Sequence, residues 1–344
     1  MGSRMPDKNV LIIGGGVAGL TAAIELAKLD CHVVLIEKEK SLGGHAGQFT
    51  CKATDECAKC GACIVEEKID MALSHANITI YNQARLAAIS RKDRFAVTFF
   101  TEKDAEQSYD ADAVIVATGF QAFDPVDKPF GYKRFEDVIT NLDLEKKLRH
   151  EIEVKRPSDG ITPEKIAFIQ CVGSRDSSVN HLWCSRVCCG SALRMANLIN
   201  TRNKNTEISF FYIDVQTFGK DFQFYYDRIR DRIRMIRAIP GDVFRTPDGQ
   251  LKLEYYLPSE GKQIEELFDM IVLSVGIIPV GTADGMMEKF GLEQPKTGFP
   301  DEEFMRPVAG LFAAGTSKGP KTITEAVADA GRVALDVVHY LQKQ

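Results

Sequence analysis

Three buried strands spread along the chain predict an α/β fold of two interleaved Rossmann-like domains, each a three-layer sandwich around a parallel sheet of the dinucleotide-binding kind. The first strand, 9–13, runs into a glycine-rich turn. The second, 166–170, opens a middle section, and the third, 310–316, returns near the C-terminus with small residues at its end. The division expected is a discontinuous first domain, 1–123 plus 280–344, and a second domain over 124–279.

The N-terminal motif is the clearest. Asn9-Val-Leu-Ile-Ile13 is an apolar run of strand length, Gly14-Gly15-Gly16-Val17-Ala18-Gly19 is a turn, and residues 20–29 have the alanine and leucine content of a buried helix. A second strand, 32–36, ends at Glu37-Lys38. Each glycine then has its own task. Gly14 permits the tight turn, Gly16 lets the backbone approach a pyrophosphate, and Gly19 lets the helix pack closely on the strand. The N–H groups at the start of that helix, from Val17, Ala18 and Gly19, are offered to phosphate, and Glu37 is placed to accept from the adenosine ribose hydroxyls. A bare G-x-G-x-x-G is a weak signal; with strand, helix and acid at these offsets it is specific.

Next comes Cys51-Lys-Ala-Thr-Asp-Glu-Cys57-Ala-Lys-Cys60-Gly-Ala-Cys63. The C-x-x-C-x-x-C spacing suggests half of a ferredoxin-type site, but the Cys-Pro that usually completes one is missing and Cys51 lies on the wrong side. A second cluster, a redox thiol pair and a docking contact all remain open for Cys51, Cys57, Cys60 and Cys63. Further along, Ala113-Val-Ile-Val-Ala117-Thr118-Gly119 is another apolar strand ending in small residues. A charged helix over 141–155 and a turn-rich linker at 156–160 follow.

The middle domain should repeat the fingerprint after strand 166–170, and it does not. Cys171-Val-Gly-Ser comes instead, with no G-x-G-x-x-G before the next helix, so direct oxidation of NAD(P)H by this chain alone is not expected. In place of the cradle stand Cys171, Cys184, Cys188 and Cys189, the last two at the start of a helix read over 190–200. Four thiolates are the usual ligand set of a [4Fe-4S] cluster. Zinc is the rival, but structural zinc sites usually present C-x-x-C knuckles, and adjacent cysteines suit a small tetrahedral ion less well than a cubane with its irons spread out. Arg175 and Arg186 are placed to tune an anionic cluster or simply to be solvated. Residues 222–226, followed by alternating arginine and isoleucine, read as an amphipathic helix whose aromatics belong to a core.

Composition sets the outer bounds. With 344 residues and 44% hydrophobic content the chain can fill two cores. Its 43 basic and 48 acidic residues give a net charge of −5, with no long basic run to follow a phosphate backbone, so nucleic acid is not an expected partner. Membrane insertion is not expected either: the longest apolar stretch, 270–280, is broken by Ser274, Gly276 and Pro279. Residues 1–4 read as an expression remnant with Met5 as the natural start, and no export signal follows. Nine cysteines in such a context favour metal or redox chemistry over disulfides, in the cytoplasm.

Together the 14–19 turn, the Ala117-Thr118-Gly119 strand end and the 310–316 run resemble the FAD domain of the flavoproteins with two dinucleotide-binding domains, the family of glutathione and thioredoxin reductases. The resemblance implies FAD, with its ADP half on the first motif. Gly315-Thr316 would stand where the family has Gly-Asp; the threonine hydroxyl can hydrogen-bond but carries no charge. It also implies Leu86 as a backbone contact for adenine and Gly44-His45 as a backbone-led flavin contact. Lys321-Thr322-Ile323, opening the last helix, would face the pyrimidine side of the ring, where positive charge favours the reduced flavin. In this family the stretch after the matching Gly-Gly carries the redox disulfide, which keeps the thiol-pair reading of the first cysteine group alive.

A closer similarity covers nearly the whole chain. Cys171-Val-Gly-Ser-Arg-Asp176 with Cys184-Ser-Arg-Val-Cys188-Cys189, Gly131-Tyr132, Val138-Ile-Thr140, Tyr212-Ile-Asp214, Phe218-Gly-Lys220 and Gly315-Thr-Ser-Lys-Gly-Pro-Lys321 resemble the A-type flavin subunits of heterodisulfide reductases. In that family the matching four cysteines bind an unusual [4Fe-4S] cluster close to FAD. The large subunits carry an extra N-terminal domain and ferredoxin modules that this sequence lacks, so flavin-based bifurcation is not implied. The short form is similar to the A-type component of heterodisulfide-reductase-like complexes of sulfur oxidisers, a dimeric electron-storing hub for cysteine-rich B- and C-type subunits. The expectation is therefore an oxidoreductase subunit of sulfur metabolism, a homodimer holding FAD and one [4Fe-4S] cluster, with a second cluster open. The alternative is a stand-alone flavin disulfide or sulfane reductase using the Cys51–Cys63 thiols.

Overall fold

The computed structural model describes residues 5, 7–280, 285–293, 295 and 297–344; the residues read as an expression remnant lie outside these. The chain divides into two compact units, 1–48 with 61–121 and 278–344, and 49–60 with 122–277.

The first unit is built on a parallel sheet in the order Leu311–Ala313, Ala113–Val116, Asn9–Ile13, His32–Ile36, Ile78–Tyr81. Successive strand residues point to opposite faces. Val10 and Ile12 pack with Leu20, Ala23 and Ile24 of the helix Val17–Ala27 and with Val333 and Val337 of the helix Ile323–Leu341. Leu11 and Ile13 pack instead with Phe95, Val97 and Phe99 of an antiparallel sheet formed by Arg85–Arg91, Phe95–Phe100 and Glu106–Ala111. The three layers are thus helices, parallel sheet and antiparallel sheet. The carboxyl end of the central strand, with neighbours reached by connections in opposite directions, is a switch point of the sheet and opens a crevice there.

The second unit repeats the plan. Its parallel sheet runs Arg234–Ile236, Glu207–Phe211, Lys165–Val172, Met270–Val275, Val138–Thr140. Ile166, Phe168, Phe210 and Val272 face Leu144, Leu193 and Phe222 of the helices Asn141–His150, Cys188–Arg202 and Phe222–Ile229. Ala167, Ile169, Phe211 and Leu273 face an antiparallel sheet through Leu253, Tyr255 and Phe268.

Three sequence readings need correction. Residues 49–60 pack with the second unit rather than the first, because Ala58 is buried in its core and Lys52 forms a buried ion pair with Glu145 at 2.7 Å. The helix expected over 141–155 ends at His150, with Glu151 in extended backbone, and Val154 beyond it reaches the core. The 156–160 stretch is an anchored turn of the second unit, not a linker: Ser158 donates to the Asp137 carboxylate from its N–H at 3.0 Å and its hydroxyl at 2.7 Å. As expected, the aromatics of 222–226 are mainly core, Phe222 and Tyr225 being buried, while Phe224 is exposed.

Candidate functional site

In the first unit the three glycines divide their tasks as the sequence suggests. Gly14 has φ +109°, and a Cβ there would lie 2.4 Å from the Ala117 carbonyl oxygen. A Cβ on Gly19 would stand 1.9 Å from the Gly14 carbonyl oxygen, so only glycine allows the helix this close to the turn. Gly16 differs: nothing lies within 4 Å of the position its Cβ would take. The helix that begins at Val17 has no side-chain cap, which leaves the N–H groups of its first turn beside that open space. The residues present therefore suit a pyrophosphate.

Glu37 is buried and braces the turn, accepting from the Gly15 N–H at 2.6 Å and the Glu39 N–H at 2.8 Å. The Gly43 N–H donates to the Gly15 carbonyl at 2.8 Å, and a Cβ on Gly44 would stand 3.4 Å from Gly16 Cα. Across the same crevice His45 stacks on Phe120 at 4.4 Å, with Nε2 3.1 Å from the Phe120 carbonyl oxygen. Gly119, with φ +74°, opens toward Thr316. Lys38 is exposed past the end of its strand, and Leu86 is half-buried in the antiparallel sheet. Thr322 caps the last helix in a reciprocal box with Glu325, so its hydroxyl serves the helix start. Lys321 Nζ donates to the Gly315 carbonyl at 3.1 Å.

One residue was not found from sequence. Asp329, on the last helix, accepts from the Gly315 N–H at 2.8 Å and pairs with Lys318 at 2.8 Å. Burial alone would raise its carboxyl, but the Lys318 and Gly315 hydrogen bonds and the charge of Lys321 hold it below its usual range. A carboxylate thus reaches the Gly315-Thr316 turn from a helix thirteen residues downstream of Thr316, and no local spacing marks it.

The second unit gathers the other predicted residues. Cys171, Cys184, Cys188 and Cys189 line one small pocket, partly open to solvent, together with Ser174, Arg175, Ser185, Arg186, Asp214 and Gln216. Cys171 sits in the irregularity just before its strand ends at Val172, with φ +61°, and Arg175 and Arg186 also have left-handed backbone, φ +56° and +63°. A bulge re-aims a side chain, and left-handed non-glycine residues persist only where surrounding bonds impose them. Those bonds are present: Arg175 pairs with Asp214 at 2.6 Å, the Ser185 hydroxyl donates to Ser174 Oγ at 2.9 Å, and Trp183 Nε1 donates to the Ile277 carbonyl at 2.9 Å. Cys188 and Cys189, both buried, are the first residues of the Cys188–Arg202 helix, which has no side-chain cap.

None of the nine cysteines is in a disulfide. Burial, reinforced by neighbouring cysteines, pushes the Cys171 thiol up to about 12 against the pull of Arg175, and raises Cys188 as well. Burial takes Cys189 up to about 11. Four thiolates here would repel one another, and a bound polycation removes that penalty by displacing their protons. Among the described residues no three His, Cys, Asp or Glu side chains close on one point as ligands of a single ion.

The first cysteine group is dispersed. Cys51, Cys57 and Cys63 are exposed and Cys60 is half-buried. Cys51, Cys57 and Cys60 belong to the segment that packs with the second unit, whereas Cys63 is in the helix Ala62–Ser74 of the first.

The model of the pyridine nucleotide-disulphide oxidoreductase family matches residues 8–168. The A-type subunit of the H(2):CoB-CoM heterodisulfide,ferredoxin reductase of Methanothermobacter marburgensis is 30% identical over 417 aligned residues, covering 95% of this chain and 63% of the relative. The A-type subunit of the ferredoxin:CoB-CoM heterodisulfide reductase of Methanosarcina mazei is 30% identical, covering 98% of this chain and 54% of the relative. The chain thus spans between half and two thirds of these relatives. Among solved structures, T. acidophilum thioredoxin reductase superposes with a TM-score of 0.64 at 17% identity, covering 97% of this chain and 99% of that one. A NAD-dependent persulfide reductase from A. fulgidus gives 0.56 at 20% identity, covering 96% and 59%. These two share the fold, and the relatives bear out the resemblance to the A-type flavin subunits along nearly the whole chain. Among the described residues no helix is long and apolar enough to cross a membrane.

Proposed function

We propose that this chain, similar to the A-type flavin subunits of heterodisulfide reductases, is the FAD- and [4Fe-4S]-binding electron-transfer component of a heterodisulfide-reductase-like complex acting on sulfur compounds. The observation that carries the reading is the second unit: it has the parallel sheet and helix start of a nucleotide-binding domain, but four cysteines line the cavity where a phosphate cradle would be. FAD would supply a store for an electron pair and the cluster a carrier of single electrons.

The chain's own residues do the rest. The uncapped first turn at Val17 and the open face of Gly16 would take the pyrophosphate, with Gly44, His45, Gly119, Gly315 and Thr316 around the same crevice. Lys321 and the start of the last helix would hold negative charge beside the ring. In the second unit the helix start at Cys188 and the Arg186 N–H, which donates to Cys184 Sγ at 3.2 Å, would stabilise negative sulfur. With no second glycine fingerprint, electrons would arrive from a partner rather than from bound NAD(P)H. Cysteine-rich partners of the B and C types, a homodimeric assembly and a role in sulfur oxidation complete the reading.

The test is iron and acid-labile sulfide per FAD on anaerobically purified protein, repeated with Cys188→Ala. About four irons per flavin, lost in the variant, support the assignment. Zinc or no metal would overturn it, and about eight irons would require a second cluster site.

A further inference from the structure

Residues 213–218 run from the strand Glu207–Phe211 toward the helix Phe222–Ile229 without regular structure, and among the described residues no backbone-to-backbone hydrogen bond involves them. Side chains hold them instead. Arg237 Nε donates to the Ile213 carbonyl at 3.1 Å, which anchors the segment where it leaves the sheet. Beyond that point it is fastened to the loop that carries Cys184. Arg175 Nη1 donates to the Asp214 carboxylate at 2.6 Å, and the Arg186 guanidinium lies over the Phe218 ring at 4.2 Å.

Between these two fastenings the segment lies against the cysteines. Asp214 and Gln216 line the same pocket as Cys171, Cys184, Cys188 and Cys189. The Asp214 carbonyl oxygen is 3.9 Å from Cys189 Sγ. Burial raises the Cys189 thiol, and the Gln216 backbone N–H, donating to that sulfur, opposes the rise. The Gln216 side chain turns back on the segment, its Nε2 donating to the Asp214 carboxylate at 2.9 Å. Arg175 and Asp214 are 28% and 41% exposed at the side chain, so water and salt reach their ion pair and it is a weak fastening. A segment without backbone hydrogen bonds, held by such a pair, belongs to the least stable parts of a fold.

We propose that residues 213–218 are a strap across the cysteine pocket, with Asp214 and Phe218 as positioning residues whose release admits small solutes to the sulfurs. The proposal deepens the function given above and rests on those cysteines holding an iron–sulfur group. The strap opens and closes in equilibrium. Closed, the Gln216 N–H and the Asp214 carbonyl cover Cys189; open, that sulfur meets solvent. Hydrogen bonds to sulfur and solvent exposure are the means by which a protein adjusts such a group, and the strap controls both.

The experiment is iron release from the full chain, purified anaerobically, to 2,2′-bipyridine, whose lack of charge leaves salt to act on the protein alone. An exposed ion pair and an exposed cation–π contact each change the open population by about two- to fivefold. Asp214→Ala and Phe218→Ala should each speed release by about that factor, and the double variant by about the product, four- to twenty-fivefold. Raising salt from about 0.01 M to about 1 M should speed release from the wild type and from Phe218→Ala but not from Asp214→Ala, which has no ion pair left to screen. Hydrogen exchange over 213–218 should rise by the same factors while the Cys188–Arg202 helix keeps its protection. Release unchanged by the substitutions, a salt response shared by all variants, or acceleration matched by a lower urea midpoint would overturn the proposal. If the wild type carries no iron, the function above fails instead, and the strap is judged by iodoacetamide labelling of Cys189, which should quicken in the same order of variants.

Discussion

Gly16→Ala separates cofactor binding from folding. Gly16 has extended backbone, φ −72° and ψ 177°, which alanine adopts freely, and no atom lies within 4 Å of the new Cβ. The substitution should therefore leave the protein folded, with stability unchanged or raised by about 0.4–1 kcal/mol through the stiffer unfolded chain. The methyl would fill the space through which a phosphate would approach the first turn of the Val17–Ala27 helix. Charge-assisted hydrogen bonds are worth about 1.5–3 kcal/mol each, so losing two weakens FAD by about 10²- to 10⁴-fold. Gly19→Ala makes the control: its Cβ would sit 1.9 Å from a backbone oxygen, the helix must shift, and overpacking costs about 1–3 kcal/mol or more. FAD titration into flavin-free protein, with urea unfolding of the same samples, reads both effects. If Gly16→Ala binds FAD like the wild type, the pyrophosphate does not lie over this turn and the crevice assignment fails.

Two further outcomes follow from buried charges. Lys52 and Glu145 are 3% and 2% exposed at the side chain and 2.7 Å apart, so Lys52→Met should cost about 3–5 kcal/mol by stranding the carboxylate, and adding Glu145→Leu should recover most of it; equal urea midpoints for wild type and single variant would contradict this. Asp329, held below its ordinary 3.8 against the effect of burial by the Lys318 hydrogen bond, stabilises the fold above that pH and ceases to as pH falls through its lowered value. Asp329→Asn should thus lose on the order of 1–3 kcal/mol at pH 7 and progressively less below about pH 4, measured by denaturant unfolding; a difference independent of pH would mean that the charge is not what matters.

What could be read from sequence was whatever is local. The strand Asn9–Ile13 and the glycines after it declare themselves by apolar run and fixed offset, and the four cysteines within nineteen residues that line one pocket stand out by their number alone. Long-range placement left no such trace. Lys52 sits in a polar segment with nothing to mark it as buried, and its destination depends on Glu145, ninety-three positions later. The docking of 49–60 rests on Ala58 and Arg194, whose meeting no periodicity encodes. Asp329 escaped for a related reason: the sequence shows an uncharged Thr316 where an acid was sought, and only the path of the last helix returns a carboxylate to that turn.

The two units answer the same geometrical problem with different chemistry. In each, a central parallel strand ends beneath a helix whose first turn has no side-chain cap, at Val17 in one and at Cys188 in the other. Such a helix start favours any anion, phosphate or metal-bound thiolate alike. What differs is the turn between strand and helix. Gly14 takes a left-handed backbone at little cost, whereas Cys171, Arg175 and Arg186 take it at about 1–2 kcal/mol each. The strain in the second turn is held by bonds within the protein, from Arg175 to Asp214, Ser185 to Ser174 and Trp183 to Ile277, none of which uses a cysteine. The backbone of the second turn is therefore held in place by contacts that do not run through the four sulfurs.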